Sequence, residues 1–328
     1  MKFIFLIAAE HQLFQVRAAI DHFKIETSDL MLVVLEIGDT SYIERLKASK
    51  DLGSIYIFPN WTSRSLFFNR LRFKPLIRFC QSLRRTDLEY TFFSSHYDSD
   101  PDLLFFSILK PKMYYLMDEG TASFSVQEKR KKQARKTLSY LIKSILYGQS
   151  IKLPRTLKYF TQYNLDAHKV DEIEKYKIKK NDNPLKRFTE GVVNFVGTSI
   201  VEVGYLKQED YLSFLTKIYA DLSGSKVLYY PHRKETQSKL LLIDKIGFTI
   251  NKIDEPFETM FAKLEESPSL FCSPFVTGVL DNISKANEKI PELRIYKFDS
   301  DLLIQHKEVY ENIYKEMRTN ENLNFVTI

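Results

Sequence analysis

Short, continuously apolar runs separated by helical stretches recur along the whole chain, and no other feature of the sequence constrains the fold as strongly. Residues 3–8, 31–35, 54–58, 89–93 and 113–117 read as strands, with helical patterns over 12–23, 42–49 and 103–109 among them. Runs that are apolar at nearly every position suit strands covered on both faces, the condition of a parallel sheet with crossover helices. The pattern restarts near residue 190. Strands are predicted over 192–196, 226–230, 249–253, 269–272 and 293–298, interleaved with helices over 207–222, 240–246, 257–265 and 276–282. A chain of 328 residues exceeds the usual size of one core, so two α/β, doubly wound, Rossmann-like domains are expected. Their predicted bounds are 1–163 and 191–302, joined by a polar, Lys-rich linker over 164–190. A helix and tail over 303–328 are expected to pack back on the first domain.

Composition narrows the function classes. Hydrophobic residues make up 44% and charged residues 27%, which excludes extended disorder, and the net charge of +6 is too mild to argue nucleic acid by itself. Cys80 and Cys272 are far apart and follow no metal-ligand spacing, so a reducing compartment is expected and zinc or redox chemistry is not. The apolar start meets Glu10, His11 and Gln12 too early for a signal peptide, and no stretch reaches the roughly 20 apolar residues of a membrane span. Basic residues concentrate in two places. Arg64, Arg70, Arg72, Lys74, Arg78, Arg84 and Arg85 stand among Phe and Leu, and Pro75 divides this stretch into two predicted amphipathic helices. From Glu128 to Lys136 a basic run continues into Leu138, Leu141, Ile142, Ile145 and Leu146 at helical spacing. That suits either an anionic bilayer surface or an ordinary core-packed helix.

Four strand ends carry polar residues, where open parallel sheets place ligands. They are Glu10-His11-Gln12, Asp118-Glu119-Gly120, Pro231-His232-Arg233-Lys234-Glu235 and Cys272-Ser273-Pro274. Gly120 permits the sharp turn that leaves two carboxylates at the end of the strand 113–117. Pro231 ends its strand and aims His232 from a rigid turn, Arg233 offers a bidentate phosphate contact, and His232 can donate to a phosphate oxygen. Ser273, with backbone N–H groups at a following helix, could hold an anion. The acids of Asp98-Ser-Asp100-Pro-Asp102 read as turn and capping residues rather than a metal site. No Walker loop, G-x-G-x-x-G fingerprint or G-x-S-x-G elbow is present.

The order of these features resembles the bacterial sialyltransferases of the GT-B fold, the lipooligosaccharide sialyltransferases of the glycosyltransferase family 52 type and their capsule polysialyltransferase relatives. Asp118-Glu119-Gly120 matches that family's D/E-D/E-G motif. The His-Pro motif is matched in part, with Pro231 before His232 and Arg233 in the place of Pro, and the Ser-Ser motif reads Cys272-Ser273. The stretch 195–211 around Gly197 resembles the start of the family's nucleotide-binding domain, and residues 11–15 its first loop. The resemblance implies two domains facing across a cleft, and metal-independent, inverting transfer of sialic acid from CMP-sialic acid to a sugar hydroxyl of lipooligosaccharide or capsule. It implies Asp118, or its neighbour Glu119, as the base, with His232 and Ser273 holding the CMP phosphate. Donor contacts are expected at Gly120, Gly197, Pro231, His232, Arg233, Glu235, Cys272 and Ser273, and acceptor contacts at His11, Gln12 and His96.

Two alternatives stand beside this reading. One keeps the fold and changes the donor to another nucleotide sugar such as CMP-Kdo. The other, of a different class, is a non-catalytic nucleic-acid-binding protein using the basic and aromatic stretch 64–85. On the leading reading no cofactor is needed, and the partners are the donor and an oligosaccharide or glycolipid acceptor. A cytoplasmic location on the inner face of the membrane, contacted through the basic helices, and a homodimer are further expectations; nucleic acid is not.

Overall fold

The computed structural model describes residues 1–36, 41–49, 51–59, 66–118, 120–131, 137–180, 187–275 and 277–328. These form two compact units, Met1–Lys177 and Ile178–Ile328, each built on its own parallel sheet.

In the first unit the strands are β1 (Lys2–Ile7), β2 (Leu30–Glu36), β3 (Ser54–Pro59), β4 (Tyr90–Ser94), β5 (Met113–Met117), β6 (Lys158–Thr161) and β7 (Glu172–Lys175). They are ordered β3-β2-β1-β4-β5-β6-β7, and every pairing is parallel. The order reverses between β1 and β4, the switch point at which such sheets open a crevice at their carboxyl edge. The connecting helices are α1 (Leu13–Phe23), α2 (Ser41–Ala48), α3 (Leu66–Arg84), α4 (Asp100–Leu104), α5 (Ala122–Lys131) and α6 (Thr137–Tyr147). The many aromatic residues are explained by the register. Phe5, Phe93 and Tyr115 are paired positions on β1, β4 and β5, and their rings stack in a row at 4.4 and 4.8 Å. Such pairs add to the area they bury and tie three strands by one face.

The second unit repeats the plan. Its strands are β8 (Arg187–Val196), β9 (Lys226–Tyr230), β10 (Thr249–Ile250), β11 (Glu266–Ser273), β12 (Glu292–Lys297) and β13 (Leu323–Thr327), in the order β10-β9-β8-β11-β12-β13, all parallel. Its helices are α7 (Gln208–Asp221), α8 (Gln237–Ile246), α9 (Phe257–Lys263), α10 (Gly278–Ala286) and α11 (Lys307–Met317). The switch point lies between β8 and β11.

Several expectations are corrected. Residues 66–84 form one helix with Pro75 inside it, not two pieces. Proline removes one helical hydrogen bond, but Phe73, Leu76, Ile77 and Cys80 are buried around it, and that packing keeps the helix continuous. The stretch 164–190 is not all linker. Glu172–Lys175 extends the first sheet by pairing with β6, and β8 begins at Arg187. The sequence of β7, Glu-Ile-Glu-Lys, hides this because an edge strand is held by main-chain bonds and needs little apolar content. The tail belongs to the second unit. Leu323–Thr327 pairs with β12, and Tyr314 of α11 reaches the backbone N–H of Phe298 at 3.4 Å.

Candidate functional site

At the carboxyl edge of the first sheet, Asp118 follows β5 and is buried. Its Oδ1 accepts from the Ser123 hydroxyl at 2.6 Å and its Oδ2 from the backbone N–H of Gln162 at 2.9 Å. One carboxylate therefore joins the turn after β5 to the first turn of α5 and to the end of β6. Gly120 completes that turn at φ +54°, where any other residue would be strained. Glu119 lies outside the described residues. Across the switch point, Gln12 is buried, and its Oε1 accepts from the N–H groups of Ala8 at 2.6 Å and Ala9 at 3.2 Å. This polar residue, expected to meet the acceptor, instead secures the loop leaving β1. His11 and His96 are half-buried beside the same switch point. The carbonyl of His96 accepts from the Ser94 hydroxyl at 2.8 Å and from the Tyr114 hydroxyl at 3.0 Å, which fixes the loop leaving β4.

The acids at 98, 100 and 102 each have separate partners, and none of them is the helix cap expected of this stretch. Asp98 lies 3.6 Å from Lys129, and Asp100 lies 2.5 Å from Lys143 and also accepts from the Tyr147 hydroxyl. Ser99 is the N-cap of α4 and also donates to Asp102. Burial pushes the Asp102 carboxyl up to about 6, against the opposing pull of His96 and the hydroxyls of Ser94 and Ser99. Among the described residues no group of three or more His, Cys, Asp or Glu is arranged to hold a metal ion.

The second sheet's edge is built on a buried charge. Lys239, on α8, has no exposed side-chain surface. Its ammonium lies 2.8 Å from Glu235, 2.9 Å from Glu202 and 3.2 Å from the carbonyl of Thr198, and 4.7 Å over the ring of Tyr211. Glu235 also accepts from the Tyr229 hydroxyl at 2.7 Å and from the backbone N–H of His232 at 2.6 Å. Glu202 accepts from the backbone N–H of Thr236 at 3.2 Å. One ammonium thus pins the loop leaving β8 to the loop leaving β9. Burial holds the Glu235 carboxyl above its usual range, although Lys239, Tyr229 and the His232 N–H pull it back down. Gly197 follows β8 beside this network: a Cβ there would lie 2.5 Å from Glu235 Oε2 and 2.5 Å from the Tyr229 hydroxyl.

On this platform Pro231 is half-buried, while His232 and Arg233 are exposed. The Nδ1 of His232 accepts from the backbone N–H of Lys234 at 3.2 Å. In the neutral ring that leaves the proton on Nε2, a donor suited to an anion. Glu235 is not a group presented to a ligand; it is the brace under the His232 turn.

The third strand end differs from expectation. Cys272 and Ser273 are fully buried; Cys272 belongs to the core cluster of this unit, and burial pushes its thiol far above the usual range. The Ser273 hydroxyl donates to the carbonyl of Phe275 at 2.9 Å, and Phe275 takes φ +123°, a strained conformation for a side-chain-bearing residue. The cap of α10 is Thr277, whose hydroxyl accepts from the N–H of Val279 at 3.1 Å. Ser273 therefore holds a strained loop at the switch point and does not cap the helix. Sequence reading missed Lys239, Glu202 and Thr277. The spacing from Glu235 to Lys239, four residues across a helix start, was the available signal for the first; no local pattern connects Glu202 to either.

No protein-family model matches the chain, and no curated protein matches it. Solved structures do. A proposed UDP-N-acetylglucosamine 2-epimerase from Listeria monocytogenes is 9% identical over 98% of this chain and 89% of that one, with a TM-score of 0.52. A sialyltransferase from Photobacterium damsela is 10% identical over 99% and 81%, with a TM-score of 0.47, and MurG from Acinetobacter baumannii is 13% identical over 100% and 86%, with a TM-score of 0.42. At these identities the likeness concerns the fold: two Rossmann-like parallel-sheet domains of the GT-B class.

Proposed function

We propose that the chain is a glycosyltransferase that moves sialic acid from CMP-sialic acid to a sugar hydroxyl of a surface glycan, lipooligosaccharide or capsule, with inversion and without a metal. The observation that supports it most is the exposed His232–Arg233 pair, held at the end of β9 by the buried Lys239–Glu235–Glu202 brace. An imidazole and a guanidinium carried on a braced turn suit a departing nucleotide phosphate, because negative charge grows on it as the glycosidic bond breaks. The donor is therefore assigned to the second unit's edge, at Gly197, His232 and Arg233, and the acceptor to the first unit's, at His11 and His96.

The base is assigned to the Asp118–Glu119 pair. Asp118 is buried with both oxygens engaged, which favours a positioning role for it and proton abstraction by Glu119. The test is CMP release from CMP-sialic acid with galactose-terminated acceptors, together with a thermal-shift panel of CMP, UDP and GDP. Stabilisation by CMP and release of CMP are expected. Replacing Glu119 by Ala should abolish transfer with CMP binding and stability intact, His232→Ala should weaken CMP binding, and Asp118→Ala should lower stability as well as activity. Neither CMP release nor a CMP shift would sink the proposal, and a shift with UDP or GDP alone would move the donor to another nucleotide sugar.

A further inference from the structure

The helix α6 is inside out. Its Tyr140, Lys143, Ser144 and Tyr147 face the protein: Lys143 lies 2.5 Å from Asp100, Tyr147 donates to the same carboxylate, and Tyr147 packs edge-on against Phe73 at 5.8 Å. The Ser144 hydroxyl accepts from the N–H of Ile151 at 2.9 Å. The opposite face is apolar and bare. Leu138, Leu141, Ile142 and Ile145, at helical spacing, are 70%, 57%, 45% and 74% exposed. A row of four large side chains left in water is unfavourable unless something covers it.

What covers it can be argued from charge and length. Six of the nine residues from 128 to 136, the stretch running into α6, are Lys or Arg, against one Glu. Arg130 is buried against Asp171, Lys131 pairs with the exposed Asp166 and with the nearly buried Glu128 at 3.6 Å, and Lys129 lies 3.6 Å from Asp98 while half its side chain stays exposed. An apolar face joined to a basic segment is complementary to an anionic bilayer surface, where Leu and Ile enter the acyl boundary and Lys and Arg meet headgroups. Eleven residues make a helix of about 16 Å, half the roughly 30 Å of a hydrocarbon core, so the element lies on a bilayer and does not cross it. In agreement, no helix among the described residues is long and apolar enough to span a membrane. In the other basic helix, α3, the described apolar side chains Phe73, Leu76, Ile77, Cys80 and Leu83 are spent on the core.

We propose that the Leu138–Leu141–Ile142–Ile145 face of α6 docks the protein on anionic lipid bilayers. The proposal is independent of the donor assignment. It is tested by co-sedimentation of the full chain with vesicles of phosphatidylcholine alone and of phosphatidylcholine with phosphatidylglycerol. Wild type should pellet with the anionic vesicles, and the variant carrying Leu141→Glu and Ile145→Glu should lose at least about tenfold in affinity. Both positions are exposed, so the melting temperature should be unchanged, and nucleotide shifts in the same variant should equal those of wild type. The proposal is overturned if wild type stays in the supernatant, if the variant pellets as well as wild type, or if neutral vesicles bind it equally. A wild-type dimer that the variant converts to monomers in ultracentrifugation, without vesicle binding, would overturn it in favour of a second copy on this face.

Discussion

Replacing Lys239 by Met removes the cation that pairs with both Glu235 and Glu202, while keeping the bulk of the stem. Breaking a buried pair by deleting one partner costs about 3–5 kcal/mol, because the remaining charge is left without compensation. Here Glu235 has no exposed side-chain surface and Glu202 keeps 12%, so Glu235 sets most of the loss and about 3–4 kcal/mol is expected. For a unit of this size that is a fall of about 6–16 °C in its melting transition. The loss must depend on pH in a definite sense. The folded Glu235 carboxyl is already raised by burial, and removing Lys239 raises it further. Stability from a carboxyl with a raised folded pKa is fully present below its unfolded value and is lost as pH rises through the folded one. The deficit of Lys239→Met should therefore be small near pH 5 and largest near pH 8. Scanning calorimetry of the full chain at both values measures it. A fall of less than about 2 °C at pH 8, or equal falls at the two pH values, would refute the brace.

Two further perturbations separate packing from chemistry. Arg130→Met strands the fully buried Asp171, to which the backbone N–H of Leu157 also donates at 2.9 Å, and also frees the carbonyls of Pro154 and Arg155. It should destabilise the first unit by about 3–5 kcal/mol in urea unfolding, and Arg130→Lys should restore little because one ammonium cannot serve the same fork. Gly197→Ala should cost about 1–3 kcal/mol, since its Cβ meets two side chains that Lys239 and Tyr211 hold in place. It should also weaken nucleotide stabilisation in a thermal-shift assay, and unchanged stability with unchanged nucleotide response would remove Gly197 from the donor edge.

The apolar runs and the helical periods between them specify two parallel-sheet units, because burial on both strand faces leaves its mark at every residue of a strand. The turn at Gly120 and the rigid Pro231-His232 turn are equally local, since they follow from backbone freedom at one residue and its loss at another. β6, β7 and β13 are not legible in this way, because short or edge strands are fixed by main-chain pairing with partners far along the chain. The same holds for function. Composition marks Asp118, Glu235 and Ser273 as polar residues at strand ends, yet only the packed structure turns each inward, onto Gln162, Lys239 and Phe275. In α6 the sequence records an amphipathic period without saying which face is inside. Asp100, some forty residues earlier, decides that by capturing Lys143 and Tyr147, and so leaves the apolar face to the outside. Periodicity reports that a helix has two faces; long-range contacts select the one that is buried.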